Sequence, residues 1–125
     1  MSEPTRTVLM VDDDPQILRL MRAMLGPHNV NVLAAPLPSD ALRICAEETI
    51  DVLISDVSMP EMSGNKLAER VLKRYPHIGV LLISGEVNEA PVVKGGRVRF
   101  LKKPFFPAEL IRVLREMLTD KAECA

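Results

Sequence analysis

The sequence predicts an α/β domain built on a parallel β-sheet, and three observations support that prediction. Short apolar or β-branched runs alternate with segments whose apolar residues recur at helical spacing. Gly and Pro mark the boundaries between them. Strands that alternate with helices form right-handed βαβ units with parallel strands. At 125 residues, the chain is long enough for one such domain around one core. The predicted strands are residues 8–11, 30–34, 51–55, 79–83 and 98–102.

The first two predicted helices follow the first two strands. Asp14 is a favourable cap for the first helix, Pro15 suits its first turn, and Gly26 ends it. A turn at residues 36–39 precedes the second helix. The apolar residues expected to face the core are Ile17, Leu18, Met21, Met24 and Leu25 in the first helix, and Ala41, Leu42, Cys45 and Ala46 in the second.

The later helices are predicted in the same way, with one exception. Gly64 precedes the third helix and Pro76 stops it, while Pro107 opens the last helix. Only residues 88–94 remain for a helix between the fourth and fifth strands, and Pro91 cannot occupy a helix interior. Such a helix has scarcely more than one turn. We therefore expect it to be short, irregular or mobile, and its face of the domain to be depleted.

Polar residues follow four of the five predicted strands. Because the carboxyl ends of parallel strands lie at one edge of the sheet, where ligands bind in open α/β folds, we expect these side chains to converge. Taken singly, each has a simpler interpretation as a solvated turn acid, a turn serine or a solvated lysine. Their shared edge favours a functional site. The residues are Asp12, Asp13, Asp56, Ser84 and Lys103.

This set of side chains suits a hard divalent cation and phosphoryl transfer. Converging carboxylates raise one another's pKa unless a cation neutralises them, and Mg²⁺ prefers such oxygen ligands. Asp56 can then act as a nucleophile toward phosphorus. Lys103 supplies a positive charge and Ser84 a hydroxyl for the phosphoryl oxygens.

Composition argues against several other classes of function. The net charge of −1 and 3% aromatic residues give no basis for nucleic-acid binding or attraction to an anionic membrane. The sequence has no apolar run of membrane-spanning length and no signal peptide at its start. Cys45 and Cys124 form no metal-binding or redox motif, so we expect a cytoplasmic protein.

From residue 11 to residue 105, the sequence resembles the receiver domains of bacterial two-component response regulators. The matching motifs are Val11-Asp12-Asp13, Asp56 with Met59-Pro60 and Gly64 behind it, Ser84, and Lys103-Pro104-Phe105. The resemblance implies a flavodoxin-like three-layer sandwich whose five-stranded parallel sheet has the order 2-1-3-4-5. It implies a receiver domain over residues 7–119, with flexible termini at 1–6 and 120–125.

The resemblance also implies a phosphoacceptor and a metal site. Asp56 is expected to receive a phosphoryl group from a histidine kinase or phosphotransfer domain. Asp13, Asp56 and the backbone carbonyl of Ser58 are expected to bind Mg²⁺, and Asp12 to hold it through water. Such a domain catalyses only its own phosphorylation and dephosphorylation, and it then switches binding to a downstream protein.

The remaining implied roles concern the switch. Ser84 is expected to contact the phosphoryl group, Lys103 to pair with it, and Phe100 to change rotamer on activation. The Lys103–Pro104 bond is expected to be cis. Ser84 replaces the commoner Thr, and Pro38 lies where such domains more often carry Gly. The short segment after Ser84 resembles receiver domains of hybrid sensor kinases, and the chain is either a stand-alone receiver or a piece of such a kinase.

Two alternatives remain open at the level of sequence. A haloacid-dehalogenase-like metal-dependent phosphatase also uses a strand-one Asp, a Ser or Thr and a Lys, but Gln16 stands where its motif has Thr or Val. Its downstream acid pair is also missing. A degenerate receiver that serves only as a binding module is disfavoured because all the phosphorylation residues are present.

Overall fold

The computed structural model describes residues 6–85 and 97–124, and its centre is a five-stranded sheet. The strands are β1 (Arg6–Val11), β2 (Val30–Ala35), β3 (Val52–Asp56), β4 (Gly79–Ser84) and β5 (Arg97–Lys102). Their order across the sheet is β2-β1-β3-β4-β5, and every neighbouring pair is parallel. The predicted fold class and strand order are confirmed.

Four helices are described: α1 (Pro15–Leu25), α2 (Pro38–Glu47), α3 (Gly64–Arg74) and α4 (Pro107–Cys124). A 3₁₀ turn at Gly26–His28 follows α1. Since β1 begins at Arg6 and α4 continues to Cys124, these two elements extend slightly beyond the predicted domain limits. The short helix predicted at 88–94 lies outside the described residues.

The prediction of a turn over residues 36–39 is wrong at its carboxyl end, because α2 already begins at Pro38. Proline is well suited to a first helical position, where its missing N–H leaves no hydrogen bond unmade. The residue before it, Leu37, has no side-chain acceptor for the first N–H groups of the helix. Water or another part of the chain must therefore supply an acceptor.

The three central strands, β1, β3 and β4, are mostly buried on both faces, which explains why they appear in the sequence as apolar runs. Side chains alternate along each strand, so Val8 and Met10 join one core cluster while Leu9 and Val11 join the other. The first cluster includes residues of α1 and α4, and the second includes residues of α2 and α3. The result is the expected three-layer sandwich.

A helix that spans a membrane needs a run of about 20 apolar residues. In the part of the chain that the structure describes, no helix combines the length and the apolar character needed to cross a lipid bilayer.

Candidate functional site

The site lies at the carboxyl edge of the sheet, where the parallel strands end together. Val11, at the end of β1, pairs with Ser55 of β3, so Asp12 and Asp56 each follow this pair directly. On the other side of β3, Asp56 pairs with Ile83 of β4. One step further, Ser84 pairs with Lys102 of β5. This register brings the predicted acids, the serine and Lys103 to one edge.

Three carboxylates converge there. Oxygen atoms of Asp12, Asp13 and Asp56 lie within 4.8 Å of one another. Asp12 is buried, Asp56 is partly buried and Asp13 is exposed. The Asp12 Oδ1 atom accepts a hydrogen bond of 2.9 Å from the backbone N–H of Asp14. A cluster that offers only hard oxygen donors and is open to solvent on one side suits a divalent cation that keeps some of its water.

Asp12, the buried member of this cluster, is costly to ionise. Burial raises the pKa of Asp12 above its ordinary value of 3.8, and the charges of Asp56 and Asp13 act in the same direction. The Asp14 N–H and the Lys103 ammonium oppose this shift. Because the folded-state pKa is raised, Asp12 favours folding at low pH, and this contribution is lost as the pH rises through the folded pKa. At neutral pH, a cation near Asp12 relieves the penalty.

Lys103 provides a cation from within the chain. Its Nζ atom lies 3.6 Å from Asp56 Oδ2, and its backbone N–H donates a hydrogen bond of 2.8 Å to the carbonyl of Ser84. The peptide bond that follows, Lys103–Pro104, is cis as predicted. The ammonium is therefore placed beside the carboxylate that ends the central strand, with part of its side chain in solvent.

The other predicted residues lie at different depths. Ser84 is buried at the end of β4, and Ser58 is exposed in the loop after β3. Phe100 pairs with Leu82, two positions before the edge, and packs against the core cluster on the side of α2 and α3. The structure therefore brings Ser84 to the edge with the acids and places Phe100 behind it.

The loop from β3 to α3 (57–63) is held by close backbone contacts. The N–H of Val57 donates to Ile83 O over 2.9 Å, and the N–H of Gly64 donates to Val57 O over 2.8 Å. A Cβ atom at residue 64 would lie 2.3 Å from the carbonyl oxygen of Asp56. Gly64 is thus needed so that α3 can begin directly against the backbone of Asp56.

Comparison with known proteins identifies the family. The family model for the response regulator receiver domain matches residues 8–115, which is most of the chain. The chain belongs to the response regulator receiver domain family. The phosphatase alternative, which rested on an Asp-x-Asp motif, has no support from this match.

Individual relatives agree with this assignment. This receiver domain is 35% identical over 114 residues to an uncharacterized 14.6 kDa protein of Leptolyngbya boryana, covering 87% of each chain. It is 30% identical to the transcriptional regulatory protein GlrR of Escherichia coli strain K12, covering 98% of this chain but 28% of GlrR. The chain thus spans most of the first relative and a minor part of the second.

Solved structures show the same fold. The signal receiver domain of an HD domain-containing protein from Pseudomonas fluorescens Pf-5 superimposes with a TM-score of 0.90 at 27% identity, covering 98% of this chain and 93% of that one. A CheY-like receiver domain from Methanospirillum hungatei JF-1 also gives a TM-score of 0.90, at 23% identity, with coverage of 98% and 100%.

One interaction in this receiver domain was not predicted from the sequence. The Glu61 carboxylate, in the loop after β3, accepts a hydrogen bond of 2.8 Å from the backbone N–H of Ser39 and one of 3.2 Å from its hydroxyl. Ser39 lies in the first turn of α2, the helix that has no side-chain cap of its own. Glu61 therefore caps α2 from another loop. The only signal in the sequence was that Leu37, the residue before Pro38, has an apolar side chain that cannot cap a helix.

Substitution of Glu61 tests this cap. We expect Glu61→Ala to lower the free energy of unfolding by about 1 kcal/mol, because the N–H and the hydroxyl of Ser39 in the first turn lose their acceptor. Glu61→Gln retains one acceptor oxygen and should lose less. The measurement is urea denaturation followed by circular dichroism. Glu48→Ala is the control, because it removes an exposed carboxylate that has no hydrogen bond or ion pair among the described residues. Equal stability of Glu61→Ala and this control would contradict the capping role.

An apolar cavity adjoins the acids. It has a volume of about 450 Å³ and lies between α1 and the segment after β5, with Asp12, Asp56 and Lys103 on its wall. Its apolar lining comes mainly from Ile17, Leu20, Met21, Met24, Pro104 and Phe105. Leu20 is 57% exposed, and Phe106, which lies between the lining residues Phe105 and Pro107 in the chain, is 74% exposed. Neither residue stands out in the sequence, because neither belongs to a predicted core stripe.

Proposed function

We propose that this receiver domain accepts a phosphoryl group on Asp56 from the phosphohistidine of a histidine kinase or phosphotransfer domain, in a Mg²⁺-dependent reaction. The observation that carries the proposal is the position of Asp56. Its carboxylate ends the central strand, lies 3.6 Å from Lys103 Nζ, and shares a cluster within 4.8 Å with two other acids. It is the one member of that cluster with an ammonium at this distance among the described residues.

The donor set supports Mg²⁺ as the cation. Asp13 and Asp56 would bind it together with the backbone carbonyl of Ser58, and Asp12 would hold it through water. Hard carboxylate oxygens are its preferred ligands. Burial, together with the charges of Asp56 and Asp13, raises the pKa of Asp12, so a bound cation would favour its ionised form. When bound, the ion would neutralise negative charge on the phosphoryl group during its transfer.

The side chains then have separate tasks in the transfer. A carboxylate oxygen of Asp56 forms the new bond to phosphorus as the bond from phosphorus to the donor histidine nitrogen breaks, and the imidazole leaves with that electron pair. Lys103 pairs with a phosphoryl oxygen in place of Asp56, and the Ser84 hydroxyl donates a hydrogen bond to another. No external substrate is turned over, because the domain catalyses only its own modification and its hydrolysis.

The surroundings of Asp56 support a protein as the phosphodonor. The acids lie on the wall of the apolar cavity and the exposed Leu20 lines it, so a partner that presents a histidine can also bury apolar surface there. After phosphorylation, Ser84 and Phe100 would change position and alter binding to a downstream protein. The domain itself is not expected to bind nucleic acid or membrane.

Chemical phosphorylation tests the function without a kinase. The protein is incubated with acetyl phosphate, with and without Mg²⁺, and its intact mass is measured. We expect an added mass of one phosphoryl group only with Mg²⁺, and its release by hydroxylamine, which cleaves acyl phosphates. Free phosphate without an adduct, released equally by an Asp56→Asn variant, would instead indicate a phosphatase that uses another acid. Absence of both would indicate a binding module.

The metal site is tested by changing Asp13. We expect Asp13→Ala to weaken Mg²⁺ binding by more than about tenfold, the scale on which even outer partners of metal ligands act. The same change should raise the melting temperature in EDTA, because it removes one of three mutually repelling charges. Asp14→Asn is the control, since it removes a neighbouring charge but keeps a helix cap. Equal Mg²⁺ affinities for both variants would refute the ligand role.

A further inference from the structure

The outer surface of α3 carries an excess of positive charge. Its four basic residues are all exposed, and the helix contains a single acid, Glu69. The basic residues recur at three- and four-residue spacing, which places them along one side of the helix. They are Lys66, Arg70, Lys73 and Arg74. The chain as a whole has a net charge of −1, so this stripe is a local feature.

These cations differ from three arginines elsewhere on the surface that have partners of their own. Arg43, Arg99 and Arg112 each lie within 4.0 Å of a carboxylate of their own chain. Within residues 6–85 and 97–124, no carboxylate comes that close to any of the four cations of α3. Their charges are therefore available to an external group.

The stability of α3 does not account for all of this charge. Lys73 and Arg74 lie in the last turn, where cations favourably oppose the helix dipole. Lys66 lies in the first turn, where the same dipole disfavours a cation, and Arg70 lies in the middle. Half of the stripe is thus unexplained by the helix itself.

An apolar groove runs beside this stripe. It has a volume of about 340 Å³ and lies between α2 and the second half of α3. Leu42, Ala46 and Tyr75 provide its apolar surface, and Arg70, Lys73 and Arg74 provide its charges. A groove of this composition can take an apolar side chain and pair the carboxylates on either side of it.

The groove is remote from the phosphorylation site. α3 begins at Gly64, against the backbone of Asp56, and its 11 residues carry it about 16 Å back toward the start of β4. The groove is lined from the second half of that helix, so it lies toward the opposite edge of the sheet. A protein bound there leaves the acidic edge free for a phosphodonor.

We propose that this groove docks an acidic segment of a partner protein, with carboxylates on Arg70, Lys73 and Arg74 and an apolar side chain between α2 and α3. A polypeptide matches the apolar floor better than a nucleic acid does, because phosphodiester backbones offer nothing to bury there. The negative net charge of the chain also disfavours a polyanion that would cover a larger surface. This inference does not depend on phosphorylation of Asp56.

A synthetic peptide serves as the probe. A fluorescein-labelled peptide of glutamates interspersed with leucines is titrated with the full chain, and binding is followed by fluorescence anisotropy and by amide shifts of the ¹⁵N-labelled protein. We expect the shifts to concentrate in α2 and α3. We expect Arg70→Glu combined with Lys73→Glu to weaken binding at least tenfold, and Asp56→Asn to leave it unchanged. Arg70→Gln with Lys73→Gln repeats the test if the charge reversal impairs folding.

Arg19→Glu combined with Arg22→Glu is the matched control, because it reverses two exposed charges on α1. We expect it to change the affinity less than twofold. If the charge reversals on α1 and on α3 weakened peptide binding equally, the attraction would be unspecific and the proposal would be overturned. Shifts centred outside α2 and α3, absence of binding, or tighter binding of a single-stranded oligonucleotide to the same residues would also overturn it.

Discussion

Asp56→Asn is expected to reduce phosphorylation by acetyl phosphate to background. The amide has nearly the same shape as the carboxylate, but its oxygen is a far weaker nucleophile toward phosphorus. The substitution also removes one of three converging charges, so the variant should be more stable than the wild type in EDTA. Intact mass after incubation with Mg²⁺ and acetyl phosphate measures the first effect, and urea denaturation measures the second.

Asp40→Asn is a suitable control for this experiment. Asp40 lies in the first turn of α2 and forms an ion pair of 3.7 Å with Arg43, outside the acidic cluster. This variant should be phosphorylated at the wild-type rate. If the Asp56→Asn variant were also phosphorylated at that rate, another acid would be the acceptor and the role proposed for Asp56 would be wrong.

Gly64→Ala is expected to destabilise the domain by about 3 kcal/mol, at the upper end of the usual cost of overpacking. The added methyl would lie 2.3 Å from the carbonyl oxygen of Asp56 and 3.0 Å from two further backbone atoms. A flexible side chain could move away, but here the neighbours are backbone of the central strand and its loop. Relief requires movement of α3 or of Asp56 itself. Phosphorylation should therefore slow as well.

Gly26→Ala provides the matched control. A methyl at this position meets nothing within 4 Å, and the backbone there is already helical. This substitution should leave stability unchanged or raise it by about 0.4–1 kcal/mol, because it restricts the unfolded chain. Urea midpoints of both variants, together with phosphorylation rates, provide the comparison. If Gly64→Ala had the same urea midpoint and phosphorylation rate as Gly26→Ala, the close approach of residue 64 to the backbone of Asp56 would be contradicted.

Local patterns in the sequence were sufficient for the fold class and for most of the strands and helices that the structure describes. Apolar runs such as residues 51–55 mark strands buried on both faces, and Asp14 marks the start of α1; both predictions are confirmed. The acids and Lys103 were placed at one edge by the same reasoning, because parallel strands end together. The strand order rested on resemblance to a family, since periodicity along one strand does not identify its neighbours.

Only the tertiary structure decided the contacts between segments that are distant in sequence. Glu61 caps α2 from 22 residues away, and no local pattern identifies that pairing. The groove formed by Leu42 and Arg70 likewise depends on how α2 packs against α3. Local order arises from the conformational preferences and spacing of neighbouring residues, which a sequence records directly. Long-range contacts form only when the whole core packs. The Glu61 cap and the groove between α2 and α3 could therefore be identified only from the tertiary structure.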